Sequence, residues 1–165
     1  HRDLHSFPTR RSSDLQMISI IDTTAPVITL SNDITLEAVS VDENIVDLIT
    51  PSVYDIHDTS ITNNAPEFFS IGETIVTWTA TDVAGNESSI EQRVTIVDTT
   101  SPSITVPDQK TVEATSLQNT LVEIGEAQAD DISGISSLTS NAPESFALGT
   151  TLVTWTAVED RKSVV

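Results

Sequence analysis

The chain has 165 residues, with 25 Asp and Glu against 7 Lys and Arg, a formal net charge of −18 and no cysteine. Such a surface repels nucleic acid and anionic membranes, which are bound through clustered Lys and Arg. The absence of thiols excludes a disulfide framework, a zinc knuckle and a thiol nucleophile, and no apolar run approaches the roughly 18 residues of a transmembrane helix.

Residues 1–15 (HRDLHSFPTRRSSDL) are basic and irregular, unlike the body of the chain, and so are residues 160–165 (DRKSVV). The nucleotide string GATCGGAAGAGCGTCGTGTAG encodes 160–165 and then a stop. Its reverse complement, in another frame, encodes Thr9-Arg10-Arg11-Ser12-Ser13-Asp14. Both ends therefore read as translated sequencing adapter and are set aside before reasoning about fold. They carry Arg2, Arg10, Arg11, Arg161 and Lys162 with Asp3, Asp14 and Asp160, so residues 16–159 keep 2 cations against 22 acids, a net charge of −20. That surface suits high salt or divalent cations.

Next, Ile18-Ser19-Ile20-Ile21 stands before Asp22-Thr23-Thr24 as Val94-Thr95-Ile96-Val97 stands before Asp98-Thr99-Thr100. Residues 16–21 are accordingly expected to be the last strand of a preceding repeat. Thr, Val and Ile dominate thereafter with a period of two, which favours strands and leaves no helical periodicity. Short strands are predicted over 27–30, 34–39, 45–50 and around Ile61, punctuated by Asn32-Asp33, Asp42-Glu43-Asn44 and Asn63-Asn64-Ala65-Pro66. Over 74–82, Val76, Trp78 and Ala80 fall on one face and Thr77, Thr79 and Thr81 on the other, the pattern of a strand with one buried side. Val83-Ala84-Gly85-Asn86 supplies residues that tolerate positive φ, and 87–97 resumes as the second arm of a long hairpin. Six or seven short strands in about 77 residues argue for an all-β, immunoglobulin-like β-sandwich.

The whole unit then recurs. Asp22-Thr23-Thr24-Ala25-Pro26 returns as Asp98-Thr99-Thr100-Ser101-Pro102 and Glu37-Ala38 as Glu113-Ala114, each shifted by 76 positions. Asn64-Ala65-Pro66-Glu67 with Phe69, Gly72 and Val76-Thr77-Trp78-Thr79-Ala80 return at Asn141-Ala142-Pro143-Glu144, Phe146, Gly149 and Val153-Thr154-Trp155-Thr156-Ala157, shifted by 77. Tandem copies of one small unit point to an array, whose neighbouring repeats are its first partners, rather than to a catalyst. Residues 22–98 read as one complete domain. Residues 99–159 read as a second domain whose match stops at Val158-Glu159, short of the Ala-Gly-Asn turn and the closing strand.

Asp-Thr-Thr-x-Pro at the start of each unit, Asn-Ala-Pro-x-x-Phe before Gly-x-Thr, and Val-Thr-Trp-Thr-Ala-Thr-Asp-Val-Ala-Gly-Asn over 76–86 closely resemble the hyalin repeat (HYR) domain. The resemblance implies an immunoglobulin-like sandwich in extracellular or cell-surface proteins, associated with adhesion and arranged in tandem arrays. Many members carry a cysteine pair. Here Trp78 and Trp155 stand in the strand where one of those cysteines is usual, so core packing must replace the disulfide.

Catalytic chemistry lacks an inventory. His57 is the one histidine of residues 16–159, its repeat partner is Ser133, and between Asp55 and Asp58 it reads as a solvated turn residue; no nucleophile context accompanies it. Carboxylate pairs such as Asp55 and Asp58, or Asp130 and Asp131, arise by chance in so acidic a chain. No cofactor is required on this reading. Calcium is the better-motivated ligand, because it takes carboxylate, amide and carbonyl oxygens, and Asp82, Asn86 and Asp98 are expected to gather near a domain junction. In the plainer reading Asn86 serves only the turn and Asp98 only an Asx-turn to Thr100. Asn86-Glu87-Ser88 is formally a glycosylation acceptor. The sequence thus predicts a non-catalytic spacer or stalk module of a large surface or secreted adhesion protein, meeting surface protein or glycan ligands. The alternatives are a carbohydrate-binding module or an accessory spacer of a secreted hydrolase. Sugar binding would need exposed aromatics, and only Tyr54, Phe68, Phe69, Phe146, Trp78 and Trp155 are available.

Overall fold

A computed structural model of the chain describes residues 14–160; the adapter-like ends fall outside the described residues except for 14, 15 and 160. Among the described residues all regular structure is strand. The first repeat contributes β1 (Val27–Thr29), β2 (Ile34–Glu37), β3 (Ser52–Tyr54), β4 (Thr59–Asn63), β5 (Gly72–Asp82) and β6 (Glu87–Val97). They form a four-stranded sheet in the order β2-β6-β5-β4 and a two-stranded sheet β1-β3, an immunoglobulin-like β-sandwich. All pairings are antiparallel except β2 with β6.

The expected hairpin is its spine. β5 and β6 pair over ten positions, with Trp78 opposite Ile90 and Val76 opposite Gln92. Gly85 turns the corner at φ 92°, a conformation that an L side chain resists. Along β5 the residues Val76, Trp78, Ala80 and Asp82 are buried, while their neighbours are more exposed. Val76, Trp78, Val94, Ile96, Phe69 and Ala38 form the core, with Leu30, Val46, Leu48, Ile61, Ile71 and Ile90 packed around it. The indole N–H of Trp78 donates to Gln92 Oε1 (3.0 Å), and Gln92 Nε2 donates to the Asn32 carbonyl (2.7 Å), so both polar groups enter the core satisfied.

Two predicted strands are absent: residues 16–21, expected as the last strand of a preceding repeat, lie extended and exposed with no strand partner among the described residues, and residues 45–50 form none either. Residues 45–50 keep the alternation, with Val46 and Leu48 turned inward and Ile45 and Ile49 exposed, but they join no ladder. The side chain of Asn44 holds the preceding corner instead. It is 3 % exposed; its Oδ1 accepts from Val39 N (2.8 Å) and Ser40 N (3.2 Å), and its Nδ2 donates to the carbonyls of Ser40 and Phe69 (both 2.8 Å).

The second repeat contributes β7 (Ser103–Thr105), β8 (Gln128–Asp130), β9 (Ile135–Ser140) and β10 (Trp155–Glu159). β7 pairs with β8 as β1 pairs with β3, and β9 with β10 as β4 with β5. The isolated bridge Asn44 to Phe69 is matched by Thr120 to Phe146. Asn64 Oδ1 accepts from Thr77 N at 2.7 Å, and Asn141 Oδ1 accepts from Thr154 N at 2.7 Å. The change of offset from 76 to 77 has a structural cause. Between Val158 and Glu159 the ladder slips, so that Ser137 and Ile135 are paired and Ser136 is skipped. The Ser136 hydroxyl bonds the Val158 and Glu159 carbonyls across this β-bulge (both 3.0 Å). The extra residue is accommodated without moving the flanking strands to the wrong face.

Among the described residues nothing stands where β6 would lie in the second repeat. Trp155 is half-buried and lines an open cleft of about 710 Å³ together with Val106, Val122, Ile124, Phe146 and Val153.

Candidate functional site

Each repeat opens on an aspartate whose carboxylate closes an Asx-turn. Asp22 Oδ1 accepts from Thr24 N (3.0 Å) and Thr24 Oγ1 (2.7 Å); Asp98 Oδ1 accepts from Thr100 N (3.2 Å) and Thr100 Oγ1 (2.7 Å). The motif therefore folds locally for a reason visible in the sequence: a short acceptor side chain two residues before a donor. What its second oxygen meets differs between the repeats.

In the first repeat that oxygen meets a histidine. Asp22, with a side chain 4 % exposed, places Oδ2 2.7 Å from His57 Nδ1. Asp55 Oδ1 accepts from the His57 backbone N–H (3.0 Å). The hydrogen bonds from Thr24, then that from His57, hold the Asp22 carboxyl down at about 2. The same contact with Asp22 raises His57 above its ordinary value, against the effect of burial. His57 is therefore an ion-paired residue rather than the freely solvated one expected. One donor atom from each of Asp22, Asp55 and His57 lies within 4.8 Å of the others. The imidazole already supplies a proton donor to this group.

In the second repeat the equivalent positions are Asp98, Asp131 and Ser133. Asp98 Oδ2 accepts from the Ser133 backbone N–H (3.0 Å). Thr100 and, after the effect of burial, Ser133 lower the Asp98 carboxyl. Asp131 is the opposite case: both its carboxylate oxygens, and Ser133 Oγ, are buried to under 1 Å² each, without a hydrogen bond of good geometry. Burial, then the charge of Asp98 and a hydrogen bond shared with it, push the Asp131 carboxyl up, while hydrogen bonds from the Ser133 and Ile132 backbone offset this in part. Its neighbour Asp130 ends β8 exposed, on the other face of the alternation.

The structure divides the predicted set Asp82, Asn86 and Asp98. Asp82 and Asn86 do meet: Asn86 N and Nδ2 donate to Asp82 Oδ1 and Oδ2 (both 2.8 Å). Burial works against the Asp82 charge, but these bonds from Asn86 outweigh it and its carboxyl is lowered. Asn86 Nδ2 also reaches the Asp22 carbonyl (3.4 Å), so the turn adjoins the entrance of its own repeat. Asp98 follows the far end of the 11-residue strand β6. At about 3.3 Å per residue that is some 36 Å away, beyond the reach of any shared ion. The expectation that hairpin turn and exit linker converge is thereby corrected.

The aromatic inventory also resolves. Trp78 is core and bonded to Gln92, so its face is closed to sugar, and Phe69 is buried, while Tyr54 and Phe68 are exposed. The Asn86 amide of the formal glycosylation triplet is engaged with Asp82. Two residues that sequence reasoning missed are Asn44, because nothing in Asp42-Glu43-Asn44 distinguishes a buried bracket from a turn, and Asp131, dismissed as a chance pair with Asp130. The alternation at the end of β8 could have separated those two acids.

Beyond Asp98 the linker is held on the first repeat. Thr99 N and Oγ1 bond Glu37 Oε1 and Oε2 (2.7 and 2.9 Å), and Ile132 packs against the core of the first repeat. Its counterpart Ile56 is 73 % exposed. Among the described residues no helix is long and apolar enough to cross a membrane.

A family model described as HYR domain matches residues 21–96. The chain is 36 % identical over 152 residues to hyalin of Strongylocentrotus purpuratus, an alignment covering 84 % of this chain and 13 % of that protein. It is 35 % identical over 156 residues to hyalin of Lytechinus variegatus, covering 82 % and 28 %. The chain thus spans under a third of the length of either relative.

Proposed function

We propose that the chain, whose residues 21–96 match the HYR domain model, is a non-catalytic, extracellular segment of a tandem array, a spacer or stalk in a large surface or secreted adhesion protein. On this reading residues 22–98 are one complete copy, 99–159 an incomplete one, and 16–21 the end of another. The observation that carries it is the junction. Ile132 of the second repeat enters the first repeat's apolar rim while Thr99 is bracketed by Glu37, so successive copies interlock rather than hang on a free tether. Exposed Ile56 is what a preceding copy would cover in the same way. Similarity to hyalin over more than four-fifths of the chain supports the adhesive context.

Force spectroscopy of concatenated 22–98 units tests the array reading. Each unit is expected to unfold as one event, lengthening the chain by roughly 26 nm for about 76 residues at 3.4 Å. Absence of a regular increment would rule out an independent repeat. Beads coated with the chain, applied to cells and to a glycan array, separate protein from sugar ligands; hydrolytic turnover by the purified chain would overturn the non-catalytic assignment.

A further inference from the structure

We propose that the second repeat takes up residues 16–21 of a second copy of this chain as the strand its sheet lacks, so that copies join head to tail. The starting observation is an acceptor and a matching donor in one molecule. In the first repeat β6 pairs parallel with β2 and antiparallel with β5. In the second repeat both segments that would flank such a strand are without a ladder. Residues 110–113, the counterpart of β2, form no strand, and β10 begins only at Trp155, the counterpart of Trp78, although β5 begins at Gly72. A bare backbone edge is a template for an added strand. Both segments line the open cleft, whose apolar wall includes Val106, Val112, Val122, Phe146 and Trp155.

The donor is legible in the sequence. Gln16-Met17-Ile18-Ser19-Ile20-Ile21 reproduces Gln92-Arg93-Val94-Thr95-Ile96-Val97 at the offset of 76. Ile18 and Ile20 are 77 % and 93 % exposed, whereas their counterparts Val94 and Ile96 are buried in the first repeat's core. Laid in the register of β6, Ile18 falls opposite Thr151 and Ile20 opposite Gly149, on the face that enters the cleft. Gln16 falls opposite Val153 and brings its amide to the Trp155 indole, as Gln92 does to that of Trp78. The incoming copy then continues into Asp22-Thr23-Thr24 as β6 continues into Asp98-Thr99-Thr100. That offers Thr23 to Glu113 as Thr99 meets Glu37, and Ile56 to the second repeat as Ile132 meets the first. One position departs from the pattern: Lys110 stands where Ile34 does, and its ammonium bonds the Glu123 carbonyl instead of entering the core. The donor must come from another copy, because Asp22 is held by His57 and Asn86 at the entrance of the first repeat. The junction lies some 36 Å away along β6 at about 3.3 Å per residue, whereas six residues span at most about 22 Å. Donor and acceptor are different surfaces, so the contact is heterologous and repeats from copy to copy.

Sedimentation velocity of the full chain from about 1 to 200 µM, bracketing a micromolar Kd, tests the proposal. The sedimentation coefficient is expected to rise with concentration, and hydrogen exchange to show protection at 110–113 and 149–154 that the dilute protein lacks. Ile18→Asp/Ile20→Asp changes residues outside both folded repeats and should raise the Kd at least about a hundredfold, since insertion would bury two unpaired charges. Met17→Arg, which falls on the outward face where Arg93 stands, should leave the Kd within about threefold. An equal loss from Met17→Arg would show unspecific apolar adhesion and overturn the register. A monomer at every concentration, whether the cleft stays open or is filled from within the chain, would overturn the proposal, as would association that Ile18→Asp/Ile20→Asp leaves intact. The strand exchange rests on the array reading, in which 16–21 close a preceding copy, but force spectroscopy of the 22–98 unit tests that reading without them, so the two fail separately.

Discussion

Trp78 offers the sharpest test of how this sandwich dispenses with a disulfide. It is 3 % exposed, in contact with the core, and its indole N–H is bonded to Gln92, which is itself 1 % exposed and bonded to the Asn32 carbonyl. Trp78→Ala would lose about 3 to 5 kcal/mol for the aromatic and its cavity. Stranding the buried Gln92 oxygen adds about 1 to 3 kcal/mol. At roughly 0.05–0.15 kcal/mol per residue, a domain of this size has only about 4 to 11 kcal/mol to lose, so the alanine variant should be largely unfolded. Trp78→Phe is the measurable form: it keeps most of the apolar volume and removes the donor, for an expected loss of about 2 to 4 kcal/mol. Urea denaturation of the full chain by far-UV circular dichroism reads this as a lower midpoint at unchanged slope. The double variant Trp78→Phe/Gln92→Leu should lose less than the sum of its single changes, because the second removes the oxygen the first stranded. A loss under about 1 kcal/mol for Trp78→Phe, or strict additivity in the double variant, would show that the buried polar chain from Trp78 to Asn32 contributes little.

Asn44→Ala removes four hydrogen bonds around a buried side chain and should cost about 2 to 4 kcal/mol, with loss of amide protection at Val39 and Ser40 in hydrogen exchange. The Asp22–His57 pair gives a pH signature. His57 is raised above 6.5, so its contribution is complete below that pH and fades as pH rises through the higher folded value; Asp22, lowered from 3.8 to about 2, contributes above 3.8 and fades as pH falls toward 2. The melting-temperature advantage of the wild type over His57→Gln should therefore be greatest between about pH 4 and 6.5 and shrink by pH 9; a gap that widened with pH would contradict the pairing. Ile132→Ser, which removes an apolar side chain from the rim of the first repeat, should increase the radius of gyration in small-angle scattering without lowering the melting temperature of the first repeat by more than a few degrees.

Period and punctuation made the spine of the fold legible. Val76, Trp78 and Ala80 could face only one way along a strand with period two, and Gly85 marked the corner, so the β5–β6 hairpin follows from local chemistry alone. What local pattern could not supply was pairing. Residues 45–50 alternate as a strand does, yet alternation reports only which side chains turn inward, and a ladder also needs a neighbour at about 4.8 Å. That neighbour is missing, and Asn44 brackets the preceding corner through a long-range contact to Phe69 invisible in a window of six residues. The same limit separated Asp98 from Asp82 and Asn86: composition brings oxygen donors together in sequence, while a fully extended 11-residue strand carries them to opposite ends of the sandwich.

The repeat itself proved more informative than either copy. A single copy presents Asp22, Asp55 and His57 as ordinary loop residues, and a single acidic pair at Asp130 and Asp131 reads as compositional noise. Aligning the copies turns these into one frame with two fillings, an imidazole facing Asp22 in the first and the Ser133 backbone N–H facing Asp98 in the second. The frame is held by backbone chemistry common to both, the Asx-turn of Asp22 or Asp98 onto the threonine two residues on, which keeps one oxygen occupied and aims the other at the loop after β3 or β8. Because the turn fixes the carboxylate whatever stands opposite, exchanging histidine for serine alters what neutralises the site without altering the strands around it. An array built on such a frame can vary what stands opposite the opening aspartate of each repeat through a single residue, His57 in the first copy and Ser133 in the second.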